Sequence, residues 1–287
     1  MKKFVLGVDI GGSHITAQLI DLEKKEAIAE SWSRGRLDPN ASAEEIINSW
    51  AEIIEQSIEK SAIVPEKISI AMPGPMDYKR GICKIKDQEK YLSLYQKNIK
   101  ELLANRLGYK TSNINFMNDA ACFLKGELFT GSISEFDDAI GLTLGTGLGT
   151  SHTLNGSAYD SNLWKMPFLK GIAEDYISTR WFVKRFKELS GITIKDVKDL
   201  VDNYTENPFF KEVFAEFSYN LAVFIHKFIR KKMPLAAVIG GNIANAEAYF
   251  MAETRKHLTT MMGYSFPVRK SQLGEKAAML GAGASFN

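Results

Sequence analysis

A buried strand that runs straight into glycines constrains this chain most. Phe4 to Asp9 is an apolar run of strand length, ending in Asp9-Ile10-Gly11-Gly12-Ser13, and His14 to Asp21 reads as the returning strand. A turn that cradles phosphate needs residues without a Cβ, because main-chain N–H groups must come close to the oxygens. A tight hairpin has the same need, so either turn alone leaves both readings open. The pattern then recurs. Ala139 to Leu144 is a buried strand, Gly145-Thr146-Gly147-Leu148-Gly149 a glycine turn and Ser151 to Leu154 a returning strand. Val5 to Gly12 parallels Ile140 to Gly147 with one residue of slack. Two such units, one opening each half, predict an internally duplicated α/β protein with a cleft between the halves.

The intervening segments fit that plan. Ala27 to Ser33 reads as a third strand. Ser42-Ala43-Glu44-Glu45 is a capping box opening a helix whose Ile46, Trp50, Ile53, Ile54 and Ile58 recur at helical spacing. Lys67 to Met72 is a strand ended by Pro73-Gly74-Pro75, and a helix is expected around Leu94 to Leu107. The strand Ile114 to Met117 runs into Asn118-Asp119 and a helical stretch. In the second half, Asn207-Pro208 begins a long helix. Its apolar stripe from Phe210 to Phe228 reads as core or dimer packing. Ala236 to Ile239 is a late strand ending in Gly240-Gly241-Asn242, followed by a helix, and Gly274 to Ala284 forms a last helix.

The 287 residues suffice for two cores, and a net charge of +2 gives no electrostatic case for nucleic acid or an acidic membrane as partner. The apolar run at the start is too short for a signal peptide or a spanning helix. Cys83 and Cys122 are isolated and the four histidines scattered, so neither a disulfide framework nor a zinc cluster is expected, and the cytoplasm is the expected setting.

Several residues could carry chemistry. Ser13 and Thr146 add hydroxyl donors to the two turns. Asp9, at its strand's end, could hold a magnesium ion directly or through water. Asp119, where a strand gives way to a helix, could accept the proton of an attacking hydroxyl, or it and Asn118 could simply cap the helix.

The order V-D-I-G-G-S, P-G-P-M-D, N-D-A, L-G-T-G-L-G, I-G-G-N-I resembles the ROK family of sugar kinases and sugar-responsive repressors over nearly the whole chain. The resemblance implies a two-domain actin/hexokinase-like (ribonuclease H-like) α/β fold, with ATP and sugar meeting in the inter-domain cleft. It assigns Asp9, Gly11, Gly12 and Ser13 to a first phosphate motif and Gly145, Thr146, Gly147 and Gly149 to a second. Gly240, Gly241 and Asn242 match an adenosine motif. Gly74, Asn118 and Asp119 match sugar-binding positions, with Asp119 as the base. The expected domains are residues 1–118, with the helix 274–287 packing back on them, and residues 119–273. The DNA-binding helical domain of the repressor branch does not precede the phosphate strand in this sequence, which favours the kinase branch.

Two departures from the family narrow the expectation. The cysteine-rich zinc loop is missing, so ATP and Mg2+ are expected without zinc. Where the family has E-x-G-H, this chain aligns Asn162-Leu163-Trp164-Lys165, replacing groups that hydrogen-bond the sugar away from its reacting end. Lys165 brings donors only and suits a substituent with acceptor oxygens, unless it points to solvent or pairs with Glu174 or Asp175. Glu174 matches a later sugar-contacting glutamate. The expectation is an ATP-dependent hexose kinase acting at the 6-hydroxyl, a homodimer by resemblance. The alternatives are a non-catalytic sugar-binding regulator and a polyphosphate-dependent glucokinase.

Overall fold

The computed structural model describes residues 4–86 and 90–286; residues 1–3, 87–89 and 287, all within the expected first domain, lie outside the described residues. The chain divides into two compact units, Met1–Thr130 with Glu275–Asn287, and Gly131–Gly274.

In the first unit, β1 (Phe4–Ile10) pairs antiparallel with β2 (His14–Asp21), which also carries β3 (Glu26–Ala27) and β4 (Ser33–Arg36). On its other side β1 runs parallel to β5 (Ile68–Met72). A small ribbon follows, β6 (Met76–Asp77) with β7 (Ile82–Cys83), and β8 (Ile114–Asn118) closes the sheet parallel to β5. The order is β3-β2-β1-β5-β8.

The second unit repeats it. Strands β9 (Ala139–Leu144), β10 (Leu148–Leu154) and β11 (Ser157–Asp160) form an antiparallel meander. A ribbon of β12 (Pro167–Phe168) and β13 (Gly171–Ile172) intervenes, and β14 (Ala236–Gly240) and β15 (Val268–Lys270) extend the sheet in parallel. The order β11-β10-β9-β14-β15 has the same hairpin-plus-parallel-neighbours plan.

Alternation along β1 decides what faces what. Leu6, Val8 and Ile10 join the core under α1 (Ala43–Ser61) and α2 (Ile99–Leu107), with Trp50, Ile54 and Leu103. Val5, Gly7 and Asp9 take the opposite face, where α3 (Asp119–Thr130) and α8 (Lys276–Ala284) lie. The capping box forms as read: Glu45 N–H donates to Ser42 Oγ at 3.3 Å and Ser42 N–H to Glu45 Oε2 at 2.9 Å. The single strand expected over Ala27 to Ser33 does not form. Ser31 breaks it: its hydroxyl takes the N–H of Leu19 at 2.8 Å and donates to the Ile28 carbonyl at 2.7 Å, building a 3-10 turn over Ala29–Ser31. The helix expected from Leu94 begins at Ile99, where Asn98 accepts from Glu101 N–H.

Helix α3 belongs with the first unit, so the division falls after Thr130 rather than at the expected 118/119. Its packing on α8 explains this. A Cβ at Gly126 would stand 2.1 Å from the Ala277 carbonyl oxygen, and one at Gly281 would stand 1.8 Å from that of Cys122, so only glycine admits the two backbones.

The second core is aromatic. Helices α4 (Thr179–Ser190), α5 (Val197–Asn203), α6 (Phe210–Lys232) and α7 (Met251–Met262) bury Phe182, Phe186, Phe214, Phe217, Phe224 and Phe228 against Ile140, Leu142 and Leu144 of β9. The α6 stripe is therefore core. Residues 207–209 form a turn before α6, in which Asn207 accepts the N–H groups of Phe209 and Phe210. After β14 the chain enters a 3-10 segment, Asn242–Tyr249, before α7.

Overpacking of such a contact typically costs about 1–3 kcal/mol. Gly281→Ala is expected to lower stability by at least that much in urea unfolding; a midpoint shared with the native protein would show that α3 and α8 are not in backbone contact.

Candidate active site

Three parallel strands of the first unit end side by side. Asp9 on β1 is level with Ala71 on β5, and Met72 on β5 with Asn118 on β8. The segments that follow are thereby gathered at one edge: Gly11-Gly12-Ser13 after β1, Pro73-Gly74-Pro75 after β5, and Asp119 at the start of α3. In α/β proteins, ligands gather outside the carboxyl ends of such strands.

Asn118 is both a cap and something more. Its Oδ1 accepts the N–H of Ala121 at 3.1 Å, while its Nδ2 donates to the Tyr78 hydroxyl at 3.3 Å. Tyr78 in turn donates to the Met72 carbonyl at 3.1 Å, tying the ends of β5 and β8 together. Asp119 Oδ1 accepts the N–H of Ala120 at 2.9 Å, which fixes a half-buried carboxylate at the helix start.

The first glycine turn is anchored from a distance. Tyr91, fully buried and packed edge-on against Trp50, donates its hydroxyl to the Gly11 carbonyl. Burial, and secondarily the Asp9 charge, push this phenol well above its usual range, so it stays a donor. Gly11 N–H donates to the His14 carbonyl at 2.9 Å, leaving Gly12 and Ser13 exposed at the tip. His14 hydrogen-bonds Ser13 Oγ at 2.8 Å. Asp9 itself is pushed up to about 7, chiefly by desolvation and then by the charges of Asp119 and Glu275; Arg34, paired with Glu275 at 3.0 Å, opposes the rise.

In the second unit, β9 and β14 also end together, Thr143 level with Gly240. Gly241 has φ of +86°, and a Cβ there would meet the Leu144 carbonyl oxygen at 2.4 Å. Two motifs almost a hundred residues apart are thus pressed into contact at the second turn. The turn is held by Gly145 N–H to the Gly147 carbonyl at 3.0 Å and by Thr179 N–H to the Gly145 carbonyl at 2.8 Å. Thr146 is exposed at its tip, and Gly149 lies within β10.

Glu174 is placed on this turn. Its Oε2 accepts the N–H of Leu148 at 2.9 Å and crowds the Gly147 Cα; its Oε1 pairs with Arg180. Lys165 does not pair with Glu174 or Asp175: Asp175 accepts from Ile172 N–H at 3.0 Å, and the Lys165 ammonium, exposed, lies 5.9 Å from the Trp164 ring centroid. Trp164 Nε1 donates to Asn162 Oδ1 at 3.2 Å, so Asn162, Trp164 and Lys165 form one exposed cluster. Tyr78, Tyr91, Arg34 and Glu275 were not legible as site residues, since each acts through partners far away in the chain.

Residues 5–161, more than half of the chain, match the ROK family. N-acetyl-D-glucosamine kinase of Haemophilus influenzae is 24% identical over 312 residues, covering 98% of each chain. Among solved structures, the ROK hexokinase of Thermus thermophilus superposes with a TM-score of 0.82 at 20% identity, covering 98% of this chain and 97% of that one. A ROK family glucokinase from Streptomyces griseus, in complex with glucose and AMPPNP, gives 0.75 at 20% identity, covering 98% of each chain. These likenesses show the actin/hexokinase-like α/β fold.

Because the pKa of Asp9 is raised on folding, the native state binds more protons than the unfolded chain between about pH 4 and pH 7. Its contribution to stability therefore falls as pH rises through that window, by up to about 4 kcal/mol at 1.36 kcal/mol per unit. Asp9→Asn should match the native melting temperature near pH 4 and exceed it increasingly towards pH 8; a constant gap would contradict the assignment.

Proposed function

Because the chain belongs to the ROK family, we propose that it is a kinase that transfers the γ-phosphoryl group of ATP to a hexose or hexose derivative at the primary 6-hydroxyl. The observation that carries this reading is the gathering of Asp9, Gly74, Asn118 and Asp119 at one edge of the first sheet. The relatives named as hexokinase, glucokinase and N-acetyl-D-glucosamine kinase support it.

In this reading Asp119 accepts the proton of the sugar hydroxyl as the new O–P bond forms, and the main-chain tie to Ala120 holds its carboxylate in place. Asn118 and the Gly74 segment orient the sugar. Gly11-Gly12-Ser13 and Gly145-Thr146-Gly147, with Gly149 behind, offer N–H and hydroxyl donors to the donor's phosphates. Gly240, Gly241 and Asn242 receive the adenosine, and the AMPPNP in the Streptomyces griseus structure supports ATP as donor.

Magnesium suits this site. A desolvated carboxyl with a second carboxylate near it is an excess of negative charge that a divalent cation neutralises, and Mg2+ is commonly held by one or two carboxylates plus substrate phosphates. Asp9 would hold it, directly or through water, and the ion would neutralise charge on the transferring phosphate.

The substrate we infer carries a substituent with acceptor oxygens, an N-acyl group being the simplest. The Lys165 ammonium, unpaired with Glu174 or Asp175 and set beside Trp164, supports this, as does the full-length likeness to an N-acetyl-D-glucosamine kinase. Glu174, by contrast, acts through the second turn and its partner Arg180.

A coupled phosphorylation screen over hexoses, amino sugars and N-acetyl sugars tests the reading. Turnover with none of them would remove it in favour of a sugar-binding regulator. Asp119→Asn should cut kcat by roughly 10²–10⁴-fold while leaving nucleotide affinity intact. Lys165→Ala should lower kcat/KM for an N-acetyl hexose about tenfold relative to the parent hexose, the worth of one charged hydrogen bond; an unchanged ratio would show that Lys165 reads no substrate.

A further inference from the structure

His152 has no part in the proposed reaction, yet both of its ring nitrogens are engaged. It stands half-buried on β10, with Nε2 at 2.8 Å from the Lys232 ammonium at the end of α6 and Nδ1 at 2.9 Å from the Ser161 hydroxyl. An ammonium can only donate, so Nε2 is the acceptor and the ring proton sits on Nδ1, which donates to Ser161 Oγ. One imidazole thus ties α6 to the residue that follows β11.

Ser161 opens the segment that carries Asn162, Trp164 and Lys165, and β10 holds this segment at two residues. Thr150 accepts the Ser161 N–H on its carbonyl at 2.8 Å and the Leu163 N–H on its hydroxyl at 3.0 Å. His152, two residues further along the strand, holds the Ser161 side chain. Between these ties Asn162 takes a φ of +52° and its N–H donates to Asp160 Oδ1 at 2.8 Å, turning the chain into the 3-10 segment Leu163–Lys165. The Thr150 hydroxyl is buried and does not titrate, so that tie holds at any ordinary pH. The tie through His152 is conditional.

We propose that His152 is a positioning residue for substrate selection, holding the cluster of Asn162, Trp164 and Lys165 in place through Ser161. The proposal rests on the reading of Lys165 as the group that meets acceptor oxygens on the sugar, and it makes that selection depend on pH. Protonation turns Nε2 into a donor and sets an imidazolium against the Lys232 ammonium, so the bond to α6 is lost. The groups facing the ring are Lys232 from α6, Asp138 ahead of β9, and Asp160 and Tyr159 from β11. Asp138 already accepts the Thr153 hydroxyl. Asp160 belongs to the held segment itself, where it caps Asn162 and feels the Lys165 charge, so an imidazolium that draws on Asp160 pulls at the segment it had held. Burial, and secondarily Lys232, hold the imidazole below its usual range, while Asp138 and Asp160 oppose that shift. The tie is therefore intact above about pH 6.5 and opens as the solution becomes more acid.

The test follows kcat/KM for an N-acetyl hexose relative to the parent hexose, at saturating ATP, between about pH 8 and about pH 5. The ratio cancels the effect of Asp9, which titrates in the same range and serves both sugars. In the native protein the ratio should be level down to about pH 6.5 and then fall about fivefold, the worth of one hydrogen bond, through KM rather than kcat. Ser161→Ala should show the low ratio at every pH. His152→Gln, whose amide can accept and donate but does not titrate, should keep the high ratio at every pH. An acid fall that survives in His152→Gln, or a Ser161→Ala ratio equal to the native one near neutral pH, would overturn the proposal. The indole N–H signal of Trp164 in NMR, assigned by its loss in Trp164→Phe, is followed in parallel and needs no turnover. It should shift with the same midpoint as the His152 ring signal and stay fixed in His152→Gln. If no sugar is phosphorylated, or if the ratio ignores Lys165→Ala, the substrate reading falls and this signal decides the positioning alone. A midpoint shared with His152 supports it; a Trp164 signal indifferent to pH sinks it.

Discussion

The contact on which the first unit depends is between main chains. Helix α8 meets α3 at Gly126 and Gly281, and meets β1 at Gly7, where a Cβ would stand 2.4 Å from the Met279 carbonyl oxygen. One helix thus presses at once on the strand carrying Asp9 and on the helix that Asp119 begins. Backbones in contact leave no flexible side chain to absorb a shift, so the spacing of the two carboxyl groups is set with the stiffness of secondary structure. The raised pKa of Asp9 follows chiefly from burial, with that enforced proximity to Asp119 adding to it.

The two glycine turns arise from the same strand plan and are secured by different chemistry. A buried phenol, Tyr91, holds the first through the Gly11 carbonyl; a carboxylate, Glu174, holds the second through the Leu148 N–H. Their surroundings differ in the same sense. Acidic groups crowd the first, whereas Arg180 and the lysines of α4 stand around the second. A duplicated scaffold has therefore been specialised by the few side chains that touch each turn, as expected when function resides in sites added to a fold.

What the sequence disclosed was local. The capping box at Ser42, the glycine turns, the buried strands β1 and β9 and the stripe on α6 are written in consecutive or periodic residues. The matching sheet orders could be suspected from the repeated strand–turn–strand pattern, because each hairpin takes a parallel neighbour on the same side. The misread strand at Ala27 to Ser33 shows the limit: it looks extended, yet the Ser31 hydroxyl finds partners on Leu19 and Ile28 and curls the chain. The same holds for the site. Asp9 and Asp119 were legible from motifs, but Tyr91 reaches Gly11 across 80 residues and Arg34 reaches Glu275 across 241. The place of Glu174 on the turn rests on its bond to the Leu148 N–H, 26 residues earlier, which no local pattern reports.

The return of α8 has a further consequence for how the protein is made. Translation delivers residues 4–130 first, including both carboxylates, but the helix that packs on β1 and α3 follows all of Gly131–Gly274 in the chain. Until α8 leaves the ribosome, one face of the first sheet is uncovered, with Val5, Gly7 and Ala71 open to solvent or to chaperones. The second unit has all its segments contiguous and can condense during that interval. The first unit thus closes only after the whole of the second has been synthesised.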